Sequence, residues 1–186
     1  MYLRLLPPTL GADDPERVAV ERVRYKHLCK RLGYFPPNEA GRERDSYDDR
    51  AMYVTVMGGP GKILACARLV WSSNKCEPLP LERYWAGVDV RPTWESGRVV
   101  NNCADLRRGR VFHLLLYVGI IESLRRANMV TSYGFVDAHQ YAVLQQEQET
   151  YGGWRFAPLG PAIDVTNHNH SIIPYVPIVV HALPLT

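Results

Sequence analysis

Arg68 stands in the middle of an otherwise apolar strand, and that position constrains the fold more than any other feature of the sequence. The segment Lys62–Trp71 reads Lys-Ile-Leu-Ala-Cys-Ala-Arg-Leu-Val-Trp. Its apolar run predicts a strand, and Gly58-Gly59-Pro60-Gly61 in front of it predicts a turn back to an antiparallel partner over Met52–Met57. Strand alternation places Leu64, Cys66, Arg68 and Val70 on one face. A guanidinium inside such a hairpin is costly to bury without partners, so carboxylates must reach it from elsewhere in the chain. Asp45 and Asp48, in the charged loop Pro36–Arg50, and Glu95, just ahead of Arg98 in Trp94-Glu95-Ser96-Gly97-Arg98-Val99-Val100, are the candidates. A pair of structural ion bridges at a sheet edge and a working pocket would both use these residue types, and the spacing alone leaves both open.

The remaining elements follow from capping and periodicity. Asp13 or Asp14 caps a first helix, Pro15 suits its first turn, Glu16 complements its positive end, and Gly33 stops it. Val18, Tyr25, Leu28 and Leu32 fall on one face of that helix, which also carries Arg24. Residues 72–93, with Pro78, Pro80 and Pro92, show little periodicity and read as an irregular connection. Trp94–Val100 reads as a short strand. Val111–Arg126 reads as a helix with Leu114, Leu115, Val118, Ile121 and Leu124 as its apolar stripe, Arg125 and Arg126 at its negative end and Asn128 closing it. Met129–Val136 reads as a strand, Ala138–Thr150 as a polar helix stopped by Gly152-Gly153, and two strands follow near 154–159 and 171–183. This order gives a mixed α/β domain spanning 1–186 around one central sheet.

Composition narrows the function classes. The 186 residues are 46% hydrophobic and 22% charged, enough for a core and unlike a disordered chain. A net charge of +3 is too weak to argue for nucleic acid, although clustered arginines would suit an anionic substrate. No apolar stretch reaches the roughly 18 residues of a membrane span, and no signal-peptide pattern is visible, so no stable membrane insertion is expected. Cys29, Cys66, Cys76 and Cys103 include no CxxC spacing, which argues against a zinc site or redox dithiol. The expectation is a cytoplasmic protein with reduced thiols. His168 and His170 flank Asn169 in a turn-like stretch and read as exposed residues, not metal ligands.

Six short segments in order carry a resemblance. They are Arg24; Leu32-Gly33-Tyr34; Glu43-Arg44-Asp45-Ser46-Tyr47-Asp48; Ala51-Met52-Tyr53; Ala67-Arg68-Leu69; and Glu95-Ser96-Gly97-Arg98. Together they resemble the acyl-homoserine-lactone synthases, whose pattern has a first-helix arginine, a Leu-Gly-Trp, a Glu-x-Asp-x-Phe-Asp, a strand tyrosine, an Arg-Leu-Leu and a Glu-Ser-Ser-Arg-Phe. Gly152-Gly153-Trp154 and Leu159-Gly160 fit the distal part of the same pattern. The resemblance implies an acetyltransferase-like (GNAT-like) fold: a twisted mixed sheet with helices on both faces. It implies a quorum-sensing N-acyltransferase that moves a fatty-acyl group from acyl-carrier protein or acyl-CoA to the amine of S-adenosylmethionine. An acyl-homoserine lactone and methylthioadenosine would be the products. Both substrates enter as such, and no resident cofactor or metal is implied.

The chemistry that the resemblance implies assigns roles. Glu95 would serve as base for the amine, directly or through a water. Backbone N–H groups beside a splayed strand would receive the thioester oxygen's developing charge. Asp45 and Asp48 would attract the sulfonium. Arg24 or Arg68 would pair with the substrate carboxylate, and Arg98 would hold the network together. Tyr34, Leu28 and Tyr47 replace a tryptophan and two phenylalanines of the family pattern, and Gly97 and Val99 alter its last motif. Since the family's helix and loop aromatics help enclose S-adenosylmethionine, these departures raise an alternative: an N-acyl amino acid synthase on the same fold. A catalytically silent ligand-binding domain is a third reading.

For the acyl donor, Arg107, Arg108 and Arg110 precede or open a helix whose end is already positive, which favours a visiting phosphate of coenzyme A or phosphopantetheine, or an acidic carrier protein. A solvated basic turn is the plainer reading. Leu115, Tyr117, Val118 and the strand Met129–Val136 could line an acyl pocket, with Ser132 and Tyr133 touching the chain, although such residues are more often plain core.

Overall fold

The computed structural model describes residues 1–102, 106–151 and 153–183, with only the backbone of 106–108, 139, 147 and 149–151. Its strands are β1 (Tyr2–Leu6), β2 (Ala51–Gly59), β3 (Lys62–Ser72), β4 (Thr93–Asn101), β5 (Thr131–Asp137), β6 (Trp154–Pro158), β7 (Ile163–Thr166) and β8 (Ile172–Ala182). Its helices are α1 (Pro15–Arg24), α2 (Leu106–Arg126) and α3 (Ala138–Tyr151). The strands form one sheet in the order β1-β2-β3-β4-β5-β8-β6, with β7 paired to β8. All pairings are antiparallel except β4 with β5.

The helices cover both faces of this mixed sheet, as expected. On one face, α1 and the chain after it pack Val20 and Leu28 against Tyr53, Cys66 and Val100. On the other, Leu116, Ile120, Ile121 and Leu124 of α2 and Leu144 of α3 pack against Val54, Ala65, Ala67, Val136 and Ile178. Strand alternation sorts the two sets: Tyr53 and Val54, or Cys66 and Ala67, necessarily point opposite ways.

Several sequence expectations need correction. β1 and β7 went unrecognised because each is short, with β1 (Tyr-Leu-Arg-Leu-Leu) lying at the sheet edge. The α2 stripe is rotated: Phe112, Leu116, Tyr117, Ile120, Ile121 and Leu124 are buried, whereas Val118 is 42% exposed. Helix α2 also begins at Leu106, since Leu106 and Gly109 continue the helical spacing backward. Other local readings agree with the geometry. Asp14 accepts the N–H of Glu16 at 2.9 Å at the start of α1, and Asn128 takes a positive φ of 54° beyond α2. After Arg24 the first helix widens into π-type turns over Tyr25–Arg31 and ends at Gly33, whose φ of +63° suits glycine. Cys103, Asp105 and Gly152 lie outside the described residues, as do the side chains of Arg107 and Arg108.

Among the described residues, no helix is long and apolar enough to cross a membrane. His168 and His170 are exposed, and no group of His, Cys, Asp and Glu side chains among the described residues could hold a metal ion. Cys29 and Cys66 are buried free thiols and Cys76 an exposed one; burial pushes the Cys66 thiol up to about 12.

Candidate active site

The site lies where β4 and β5 part. They pair only at Glu95–Tyr133 and Ser96–Gly134, so the edges beyond these residues diverge. Immediately beyond, β4 bulges against β3: Cys66 faces Val100 and Arg68 faces Gly97, leaving Arg98 and Val99 opposite Ala67 alone. Arg98 takes a φ of 50° there. Such a bulge re-aims side chains and ends strand pairing, as it does beside many active sites.

The carboxylates that Arg68 requires come from the loop before β2. Asp45 opens a short 3-10 turn over Ser46–Arg50: its Oδ1 accepts the N–H of Tyr47 at 2.9 Å, and its own N–H donates to Asp48 Oδ2 at 2.8 Å. This reciprocal capping fixes both aspartates relative to the sheet. Arg68 Nη1 then donates to Asp45 Oδ1 at 2.7 Å and lies 3.2 Å from Asp48 Oδ1. Arg98 donates to Glu43 Oε1 and Asp45 Oδ2, each at 3.2 Å, and its guanidinium covers the Phe35 ring at 3.9 Å.

Beneath this layer sits a second, fully enclosed one. Arg24 is 0% exposed and donates from Nε to Glu43 Oε2 at 2.5 Å and from Nη1 and Nη2 to the two oxygens of Asp48 at 2.7 and 3.2 Å. The Tyr53 hydroxyl donates to Asp48 Oδ1 at 2.8 Å. Burial by itself would raise the Asp48 carboxyl, but the adjoining Arg24 and Arg68 guanidiniums hold it well below the usual carboxylate range. Arg17 joins α1 to the same turn through the Asp48 carbonyl at 2.6 Å and bonds Glu21 at 3.3 Å.

Glu95 is placed differently. It is 5% exposed, Oε2 accepts the N–H of Leu81 at 2.8 Å, and its carboxyl borders the cleft. Burial raises it to about 7, against the opposing influence of that N–H and of Arg68 and Arg98. Half of such a group is a carboxylate near neutrality, which suits a general base.

The cleft holds about 180 Å³ and passes through the parting of the strands. On the α1 face its walls are Asp45, Arg68, Glu95, Arg98 and the rings of Tyr34, Phe35, Tyr84, Phe135 and Tyr175. Tyr34 and Tyr175 face each other across the cleft wall, and burial raises both phenols. On the α2 face the walls include Val136, Ile178 and Tyr117.

Glu95, Arg68, Arg98, Asp45 and Tyr34 are thus brought together at one cleft. Arg24 and Asp48 stand behind it. Every N–H-bearing nitrogen of Arg24 is directed at a carboxylate of this chain and none lines the cleft, so the expectation that it holds a substrate carboxylate is replaced by a supporting role. Asp48, 0% exposed, is equally unable to meet a sulfonium. Ser132 and Tyr133 do not line the cleft: Ser132 is wholly buried, and Tyr133 packs in the cluster of Tyr47, Val70 and Leu81. They lie on the paired side of Gly134, whereas the opening is beyond it. Leu115 and Val118 also fall outside the lining, while Tyr117 and Val136 belong to it. Arg110 is exposed at the start of α2.

Glu43 is the functional residue that reasoning from charge spacing passed over. The signal was present, since Glu43 opens the same Glu-x-Asp motif that supplies Asp45. Tyr175, Phe35 and Tyr84 gave no signal, because nothing local marks an aromatic side chain as facing a cleft.

No protein-family model matches the sequence, and no curated protein does. Solved structures do match. TofI, in a ternary complex with an inhibitor and MTA, aligns with a TM-score of 0.70 at 19% identity over 97% of this chain and 91% of TofI. BjaI, a CoA-dependent acyl-homoserine lactone synthase with SAM and isopentyl-CoA, gives 0.74 at 16% identity over 97% and 83%. The chain has the acyl-homoserine-lactone-synthase fold. An acyl-CoA N-acyltransferase from Pseudomonas aeruginosa shares the broader form of that fold, at a TM-score of 0.61 and 18% identity over 96% of this chain and 99% of the other.

Proposed function

We propose that this chain is an N-acyltransferase that takes an acyl group from a thioester and places it on the amine of S-adenosylmethionine, forming an acyl-homoserine lactone. One observation carries the reading: Glu95, a buried carboxyl raised to about 7, borders the cleft at the point where β4 and β5 separate. Structural neighbours crystallised with SAM and isopentyl-CoA, or with MTA, support the substrate pair.

The steps follow from the residues. Glu95 accepts a proton from the substrate ammonium, directly or through one water. The freed amine attacks the thioester carbonyl carbon, and the carbonyl oxygen's charge is received by β4 N–H groups that have no β5 partner past Ser96. The C–S bond breaks and the thiolate leaves with a proton. The substrate's carboxylate oxygen then displaces methylthioadenosine from the carbon beside the sulfonium and closes the lactone. Arg68 lines the cleft beside Asp45, so its guanidinium receives the substrate carboxylate. Asp45, 21% exposed at the same wall, faces the sulfonium. Arg98 positions Asp45 and Glu43.

The donor is coenzyme A-bound or carried by an acyl-carrier protein; exposed Arg110 at the start of α2 is a contact for either. One observation favours an amino acid as the amine instead: Tyr34, in place of tryptophan, faces Tyr175 in a cleft of only about 180 Å³. Purified protein is incubated with S-adenosylmethionine, with a mixture of amino acids, and with acyl-CoA or acyl-carrier-protein donors, and products are read by mass spectrometry. Acyl lactone with equimolar methylthioadenosine supports the first reading, acyl amino acid the second. No acylated amine with any donor overturns both.

A further inference from the structure

On its α2 face the cleft is bordered by Tyr117, a ring packed among other rings. Where β4 leaves β5, Gly134 offers no side chain, and a Cβ added there would come within 3.4 Å of the Ser96 carbonyl and 3.3 Å of Ile178. Gly134 therefore lets β5 pack closely against Ser96 and Ile178, two residues of the cleft lining. On the α2 face Val136, Ile178 and Tyr117 of α2 line the cleft, the last at 4% exposure.

Tyr117 is not a side chain that can swing aside. Phe156 meets it edge-on with centroids 5.6 Å apart and an interplanar angle of 87°. Trp154 lies 6.2 Å away on β6, and His113, one turn earlier on α2, meets it edge-on at 5.0 Å. Its ring thus packs against three other aromatic rings at contact distance. Cores packed in this way yield little to a longer guest. The volume points the same way: the whole cleft holds about 180 Å³, below the roughly 300–1,000 Å³ of ordinary small-molecule sites.

We infer that Tyr117 is the stop that sets the longest acyl chain this cleft accepts, and that it restricts the donor to short acyl groups. The inference rests on the acyltransferase reading above and deepens it. The charged residues that would meet the amine substrate lie on the α1 face, so the acyl chain runs toward the α2 face past Ser96 and Ile178 and its terminal methyl abuts the Tyr117 ring. Tyr117 acts on the choice among donors, not on the bond-forming step.

The test compares wild type with Tyr117→Leu and Tyr117→Trp in competition assays containing butyryl-, hexanoyl-, octanoyl- and dodecanoyl-CoA. Wild type should favour butyryl and hexanoyl. Since one methylene in an apolar pocket is worth about 10- to 200-fold, Tyr117→Leu should raise octanoyl over butyryl use by roughly tenfold or more. Tyr117→Trp should move the preference the other way. Circular dichroism establishes that each variant is folded, and Tyr117→Phe, which keeps the ring, should keep the wild-type order. If the variants are folded and active but rank the donors as wild type does, the inference is overturned. If wild type itself prefers dodecanoyl-CoA, it is overturned as well. If wild type acylates no amine from any donor, the acyltransferase reading fails first, and displacement of a fluorescent fatty-acid probe by short and long fatty acids then tests Tyr117 alone: a probe held equally by wild type and Tyr117→Leu refutes the stop.

Discussion

Replacing Glu95 by Gln should abolish acyl transfer and make the protein more stable at slightly alkaline pH. The wild-type carboxyl is raised from 4.5 to about 7, chiefly by burial. A group whose folded-state pKa is raised contributes stability that is fully present below the unfolded value and is lost as pH rises through the folded one. Between pH 4.5 and about 7, therefore, wild type progressively loses stability, because the unfolded chain gives up a proton that buried Glu95 keeps, and above about 7 the carboxylate is ionised in its buried site. At about 1.4 kcal/mol per tenfold change in proton affinity, that loss reaches on the order of 3 kcal/mol above pH 7. The Gln variant keeps an oxygen for the Leu81 N–H and carries no charge at any pH, so it avoids this cost. For a chain of this length the gain corresponds to roughly 6–12 °C in Tm at pH 8, shrinking toward zero near pH 4.5. Thermal unfolding of both proteins, followed by circular dichroism at several pH values, provides the comparison. A variant that is less stable than wild type at pH 8, or that differs from it equally at all pH values, would refute the reasoning.

Other consequences can be checked with similar means. Acyl transfer should rise about tenfold per pH unit below pH 7 and level off above it, as Glu95 loses its proton; stopped assays in overlapping buffers would show a flat profile if another group were the base. Arg24→Met should cost about 3–5 kcal/mol in urea unfolding, because it leaves Glu43 and Asp48 buried without their cation, and a loss below about 1 kcal/mol would contradict the packing described. Arg68→Lys, which keeps the charge but not the fork, should raise the KM for the amine substrate more than tenfold while leaving the KM for the acyl donor nearly unchanged. Gly33→Ala should destabilise by about 1 kcal/mol or more, since its φ is +63° and a Cβ would meet the Asn169 side chain; unchanged Tm would show that this turn relaxes freely.

The parts of this molecule legible in its sequence are those governed by local rules or by an unavoidable energetic demand. Arg68 in an apolar strand required carboxylates, and Asp45 and Asp48 answer it within 3.2 Å. The turn at Gly58–Gly61, the cap at Asp14 and the left-handed Asn128 follow from residue-level conformational preference. The depth of each charged residue did not. Arg24 and Arg68 carry the same group, yet one is sealed behind Glu43 and Asp48 and the other reaches the cleft, because their distances from the sheet opening differ. Ser132 and Tyr133 were placed on the correct strand, but one step of strand pairing separates them from the gap. The orientation of α2 is not legible locally, because its first turn sets Leu106 and Gly109 among arginines, which obscures the apolar period.

The central claim is that the Glu95 carboxyl, buried beside the opening between β4 and β5, titrates near neutrality and acts as the base. Carbon-13 NMR of the glutamate side-chain carboxyls, with Glu95→Gln to identify the resonance, measures it directly. The account predicts one glutamate titrating near pH 7 that disappears in the variant, together with the loss of acyl transfer. A Glu95 resonance titrating below pH 5, or a Gln variant that transfers acyl groups at the wild-type rate, would contradict it.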